Sequence, residues 1–321
     1  MFLVVFLKIL PLLLAILLGY CAGWLRVFPK PVDAVDTLNR YALYFGFPLL
    51  IFEGFCRPAL KLSSNVGFYA FHALIAALLI LVIVIMGGLF SSLRQVRGNL
   101  VLGTLFGNVA YLGIPMCSLL LGKSYLGLIS LSVALQVFFA MLLGPLCLLL
   151  WGEEGQEETW RTLLLKLFKQ PLLWAPILGF TARLLPEAWL YSMAKPLSFF
   201  AASAAPVALF LLGLHIWIHQ RTLRKIEPSV GALLFCKLLL VPVVIFTIGG
   251  GFVSMGWMDL REWQVVQLLS TMPTAITTFS IARDMRQNEG LMAQAILLST
   301  LVALLLLPLM APWWMQWTGV A

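Results

Sequence analysis

Two stretches of this chain carry residues whose types and spacing suit the binding of a small charged solute. They are Gly103-Thr-Leu-Phe-Gly107-Asn108-Val-Ala-Tyr111-Leu-Gly113-Ile-Pro115 and Ser270-Thr271-Met272-Pro273-Thr274-Ala275-Ile276-Thr277-Thr278-Phe279-Ser280. Each sets a proline inside an otherwise apolar run. Proline removes a backbone donor and turns the preceding residue away from helix. Each run is therefore expected to split into two half-helices around a short extended segment, with Pro115 and Pro273 each beginning the second half. The start of a half-helix presents free N–H groups and a positive dipole end, which attract an anion. Asn108, Tyr111, Thr274, Thr277 and Thr278 add neutral hydrogen bonds there, while Gly103, Gly107 and Gly113 permit close backbone approach. A carboxylate is the natural guest. The plainer reading is a pair of proline kinks held by Ser and Thr back-bonding.

The elements that must position these residues lie in lipid. The chain has 321 residues, of which 62% are hydrophobic and only 11% charged, so the few charges fall in short clusters between apolar runs, where they avoid the cost of burial in hydrocarbon. A helix needs roughly 20 residues to cross the bilayer. Breaks at charges, Pro and Gly give ten spans, near residues 3–25, 33–55, 66–90, 98–121, 124–150, 170–185, 190–217, 229–252, 262–283 and 289–316. The expected fold is an all-α membrane protein. Loops after the odd-numbered spans hold twelve Lys and Arg, among them Arg26, Arg94, Arg97, Lys166, Arg221 and Arg283; the other loops hold six, Arg57, Lys61, Lys123, Arg183, Lys195 and Arg261. The positive-inside bias then puts both termini on the non-cytoplasmic side. The acidic run Glu153 to Glu158 reads as a solvated cytoplasmic linker.

Several other function classes are disfavoured. The net charge of +8 is scattered and forms no basic stripe, so topology accounts for it better than nucleic acid does. Cys21, Cys56, Cys117, Cys147 and Cys236 contain no CxxC pair and read as small apolar filler. His215 and His219 stand one turn apart but lack a third ligand nearby in sequence, so no metal and no cofactor is expected. Clustered interfacial acids, histidines or serines, which a membrane enzyme would need, are missing from the pattern. The apolar residues 2–24 resemble a secretory signal, yet Lys8 interrupts them and no A-x-A site follows.

An internal repeat strengthens the reading of residues 2–24 as mature structure. A shift of 160 lays Pro11, Ala15 and Gly19 on Pro171, Ala175 and Gly179; similar shifts pair Pro48 with Pro206, Met86-Gly-Gly-Leu-Phe90 with Ile248-Gly-Gly-Gly-Phe252, and Gly127 and Pro145 with Gly290 and Pro308. Two halves of five spans, residues 1–150 and 170–321 joined by a cytoplasmic linker at 151–169, run in opposite directions because five is odd. Such halves give a pseudo-two-fold axis in the membrane plane, as in many secondary transporters. That axis brings the two broken spans, 4 and 9, together near the midplane.

At Gly107-Asn108-Val-Ala-Tyr111-Leu-Gly113-Ile-Pro115 and Met272-Pro273-Thr274-Ala275 the sequence resembles the auxin efflux carrier family of the bile acid/arsenite/riboflavin transporter superfamily. Phe47-Pro48, the run from Pro206 to Gly213 and Ala282-Arg283 extend the likeness over nearly the whole chain. The resemblance implies a scaffold of spans 1, 2, 6 and 7, a transport unit of spans 3–5 and 8–10, elevator-like motion and a homodimer in a cytoplasmic (inner) membrane. It implies small organic anions as substrates, such as dicarboxylates or auxin-like acids, with Asn108 and the two prolines at the site and Met272 beside them. Ala110 stands where the family often has Gly, and Thr277 where its second repeat often has Asn, so the polar contacts to the substrate differ. A sensor that keeps the carrier fold and binds an acid without moving it is the alternative.

For coupling, no carboxylate stands at mid-span: Asp33, Asp36 and Glu53 fall toward the ends of span 2. Two cations lie within spans. Snorkelling can accommodate both; Arg40 lies near an end and is expected to anchor there, whereas Lys237 is deeper, with pairing to an anion as its alternative. His72 reads as structural.

Overall fold

The computed structural model describes residues 2–56, 66–151 and 161–318, apart from 163, 164, 166 and 167. The acidic run at 153–158 and the loop cations Arg57, Lys61 and Lys166 lie outside the described residues. Helix follows helix throughout: α1 (Phe2–Trp24), α2 (Pro31–Tyr41), α3 (Phe47–Cys56), α4 (Val66–Leu89), α5 (Ser91–Arg94), α6 (Arg97–Leu105), α7 (Ile114–Leu121), α8 (Leu126–Trp151), α9 (Pro171–Ala182), α10 (Glu187–His219), α11 (Pro228–Phe235), α12 (Val241–Ser254), α13 (Leu260–Ser270), α14 (Thr277–Asp284) and α15 (Glu289–Thr318). Among the described residues there is no named strand, only one isolated antiparallel bridge.

Among the described residues six stretches are long and apolar enough to cross a membrane: Phe6–Trp24, Val66–Leu89, Lys123–Trp151, Pro196–Arg224, Pro228–Ser254 and Glu289–Leu307. They match expected spans 1, 3, 5, 7, 8 and 10. The others are short or interrupted, and proline explains much of the interruption. Three π turns, Ala42–Gly46, Val109–Gly113 and Cys236–Leu240, each end two residues before a proline, at Pro48, Pro115 and Pro242. Proline has no N–H, and its ring collides with the carbonyl four residues back. In each case the residue after the turn, Phe47, Ile114 or Val241, donates its N–H to the carbonyl five residues back. The widened turn makes room for the ring, and the helix continues through the proline.

Close helix contacts depend on missing side chains. A Cβ on Gly19 would sit 1.8 Å from the Phe210 carbonyl oxygen, and one on Gly213 would sit 1.8 Å from that of Ile16. Backbone thus rests on backbone where α1 crosses α10. Gly23 of the Gly19-x-x-x-Gly23 pair lies against the Trp217 ring, so the pair is a helix contact, as expected. Gly179 of α9 does the same against α3, where its Cβ would meet the Phe52 carbonyl oxygen at 2.8 Å. The core is continuous and centres on α6, the 109–121 helix, α8, α13 and α15, where Leu100, Leu112, Ile129, Val265 and Ile296 are fully or almost fully buried. Arg40 reaches the surface, whereas Lys237 is only 3% exposed.

Candidate functional site

The two proline-bearing runs meet. Gly107 bridges Thr274 in antiparallel fashion: Asn108 N–H donates to the Pro273 oxygen at 2.7 Å, and Ala275 N–H donates to the Phe106 oxygen at 2.9 Å. This short ladder sits where α6 ends after Leu105 and where α13 gives way, beyond Ser270, to α14 at Thr277.

A helix that stops releases its last carbonyls, and in an apolar interior each needs a donor. All four released around the first break have one. Gly103 O accepts from the Thr274 hydroxyl at 3.1 Å, Thr104 O from the Lys237 ammonium at 3.0 Å, Leu105 O from Gly107 N–H at 3.1 Å, and Phe106 O from Ala275 N–H. On the second strand, Thr274 N–H donates to the Ser299 hydroxyl of α15 at 3.1 Å. The Thr278 hydroxyl donates to Ala275 O at 2.7 Å.

The breaks do not fall where the prolines alone suggested. The first lies at residues 106–108 and the second half-helix starts at Val109, so Pro115 lies within continuous helix, past the π turn. Pro273 lies inside the second break, four residues ahead of Thr277. Cross-pairing with the opposite run fixes the break, and a π turn spares the helix at Pro115.

Beside the ladder is a cavity of about 20 Å³, enough for one water. Its wall includes Gly107, Asn108, Ala110 and Tyr111 from the first run and Ala275 and Thr277 from the second. Leu43 of the first π turn, Val137 of α8, and Gln170 and Leu172 at the start of α9 complete much of the rest. Asn108 is 2% exposed and its Nδ2 has no protein partner. Its carbonyl accepts from both Leu112 and Gly113 N–H at 3.1 Å. Tyr111 stacks on Phe47 with centroids 5.0 Å apart and rings within 8° of parallel, and its hydroxyl donates to Asn39 Oδ1. The first amides of the Val109 half-helix lie at an N-terminal end, where helix geometry gives them no intrahelical acceptor.

Of the residues singled out in the sequence, Asn108, Tyr111 and Thr277 share this wall. Pro273 and Thr274 support it from behind through the ladder. Gly113 and Met272 pack together, since a Cβ on Gly113 would meet Met272 Cγ at 3.3 Å. Pro115 and Thr278 are buried away from the cavity, with the Thr278 hydroxyl spent on backbone. Sequence reasoning missed Asn39, Leu43, Val137, Gln170 and Leu172. Asn39 and Gln170 carried a signal, being amides beside apolar spans; the aliphatic residues carried none. Among the described residues no group of three or more His, Cys, Asp or Glu is placed to hold a metal.

Among the described residues, six helices of membrane length and apolar composition and a paired break between two other runs are the features of a multi-pass membrane protein. A family model described as membrane transport protein, that of the auxin efflux carriers, matches residues 4–311. The chain belongs to this family of membrane transporters. Comparison with curated proteins returns no match.

Proposed function

We propose that this protein is a secondary carrier of small organic anions, mono- or dicarboxylates or auxin-like acids, bound at the crossover of the two broken runs. The observation that carries the reading is the unpartnered Asn108 Nδ2, set beside a half-helix start and the Gly107–Thr274 bridge. A donor with no protein acceptor and an amide-rich helix end together suit a carboxylate. Asn108, Tyr111 and Thr277 contact the solute; Gly113, Pro115, Met272, Pro273, Thr274 and Thr278 shape the break.

The proposed architecture is a 5+5 inverted repeat of ten spans. Two contacts support it. Gly19 of α1 rests on Phe210 of α10, and Gly179 of α9 rests on Phe52 of α3. The repeat pairs Gly19 with Gly179 and, by the same shift that pairs Pro48 with Pro206, Phe52 with Phe210. Equivalent helices thus touch through equivalent residues. The small cavity lies between the crossover and residues of spans 2 and 6, which is the boundary an elevator-like motion of spans 3–5 and 8–10 against spans 1, 2, 6 and 7 would use. A homodimer in the inner membrane with both termini on the non-cytoplasmic side completes the proposal.

Purified protein in liposomes, offered a panel of labelled mono- and dicarboxylates, tests it. Saturable uptake above protein-free liposomes is expected for at least one acid. Ligand-dependent stabilisation without flux of any acid would instead make the chain a sensor on a carrier fold, and neither effect with any acid would sink the reading.

A further inference from the structure

Lys237 lies in the π turn Cys236–Leu240 between α11 and α12, deep in a membrane-length helix. Its ammonium donates to the Thr104 carbonyl, which leaves two of its three N–H groups without a protein acceptor. The side chain lines a cavity of about 50 Å³, room for three or four waters or one small ion. The rest of the wall is mostly apolar, with Phe71, Leu79 and Val266 among its members, but it also includes His72, Thr104, Gln136 and Ser270. Thr104 Oγ1 is buried with no partner among the described residues; His72 Nε2 is unpartnered too, but with Nδ1 donating to the Phe68 oxygen it is an acceptor, so the donors the recess offers are Lys237 and Thr104. Among the described residues no carboxylate belongs to the wall.

A buried ammonium facing one carbonyl is poorly compensated, because the carbonyl offers a partial charge where a full one is needed. A polar recess built around a cation, with an orphan hydroxyl and no acid, has the donor chemistry of an anion site. In the state seen here its volume suits a small ion without rearrangement. We propose that the Lys237 cavity binds one small monovalent anion, the size of chloride or formate, as the counter-ion of the ammonium. The site is separate from the crossover cavity yet adjoins it: a Cβ on Gly107, which lines that second cavity, would lie 2.8 Å from Lys237 Nζ. An anion here therefore tunes the charge felt at the crossover through a single glycine.

The test needs no transport. Full-length protein in detergent is exchanged into gluconate at constant ionic strength, and its melting temperature is followed as chloride or formate replaces gluconate. Wild type should show a saturable rise of a few degrees. Lys237→Met, similar in volume but uncharged, should fold and lose the response. Thr104→Val keeps the carbonyl and the lysine but removes the hydroxyl, so it should raise the half-saturating concentration several-fold; this variant decides the matter if Lys237→Met does not fold. Asn108→Ala should keep the full response, which separates this site from the crossover whatever the fate of the carrier proposal. No anion-dependent shift in wild type would mean that the cavity holds water or a neutral amine, and would overturn the site. An unchanged response in Lys237→Met or in Thr104→Val would overturn it equally.

Discussion

Asn108→Ala separates binding from folding, and the structure says by how much. The fold uses the backbone of Asn108: its N–H holds Pro273 O at 2.7 Å, and its carbonyl takes Leu112 and Gly113 N–H at 3.1 Å each. The side-chain Nδ2 is buried and bonds to nothing among the described residues. Truncation therefore removes no native hydrogen bond through Nδ2, and the melting temperature of the ligand-free protein should move by no more than about two degrees. Binding is different. A hydrogen bond to a charged group contributes about 1.5–3 kcal/mol, and each 1.4 kcal/mol is tenfold, so the affinity for a carboxylate should fall roughly 10- to 150-fold. Asn108→Asp, which sets a negative charge against the anion, should abolish binding. Ligand-dependent thermal stabilisation titrated for wild type and both variants gives the constants for wild type and Asn108→Ala and should show no response in Asn108→Asp. Asn108→Ala with wild-type affinity, or a collapse of ligand-free stability in that variant, would refute the reasoning, since the first removes the contact and the second makes the side chain structural.

Three further outcomes follow from the packing. Gly19→Ala drives a methyl to within 1.8 Å of the Phe210 oxygen, against backbone that cannot swing away; thermal unfolding should show a loss at or above the overpacking range of about 1–3 kcal/mol, whereas Gly88→Ala, with nothing within 4 Å, should leave stability equal or slightly raised. Thr274→Val leaves Gly103 O without its side-chain donor and should cost about 1–3 kcal/mol, with Thr274→Ser restoring most of it in the same melt. Tyr111→Phe keeps the stack on Phe47 but loses the bond to Asn39; a loss of about 1 kcal/mol is expected, and a double-mutant cycle with Asn39→Ala should show the pair to be coupled.

Much of this was legible in the sequence because lipid makes composition informative. A run such as Val66–Leu89 has few destinations other than a membrane, and proline in apolar runs marked both segments of the candidate site. What proline did not reveal was the exact position of the break. Pro115 looks like a helix start, yet a π turn absorbs it, and absorbing it needs only one extra residue in the turn, which has no compositional signature. Residues 106–108 leave the helix because Pro273 and Ala275, more than 160 positions away, offer hydrogen bonds there. Local propensity cannot encode a partner that distant. The same reason hid the ends of the threonines: Thr274 and Thr278 looked like solute ligands, and only the folded chain shows their hydroxyls engaged with Gly103 O and Ala275 O. Lys237 stood out in sequence as a misplaced charge, but its service to the Thr104 carbonyl became visible only with the break in place.

The carbonyl ledger at the break also constrains how any carrier cycle can run. Separating the two runs would strip Asn108 N–H, Pro273 O, Ala275 N–H and Phe106 O of their partners at once and would release Gly103 O from Thr274. In a site without bulk water each unsatisfied backbone group costs several kcal/mol, so a gate that opened by parting the crossover would face a sum far above the few kcal/mol that separate interconverting states. The contacts from the crossover to span 2 are cheaper: one hydroxyl bond from Tyr111 to Asn39 and one ring stack on Phe47, about 1 kcal/mol each. The proposed motion then slides the crossover as an intact body past α2 and α3, with the Tyr111 contacts among those that let go, and in that proposal the solute travels with the bridge rather than through it. Cysteines at positions 54 and 130, where a Cβ on Gly54 would lie 3.1 Å from that of Ser130 across the boundary between spans 2 and 5, should when oxidised stop flux until the disulfide is reduced, and undiminished flux with the disulfide formed would place the moving boundary elsewhere.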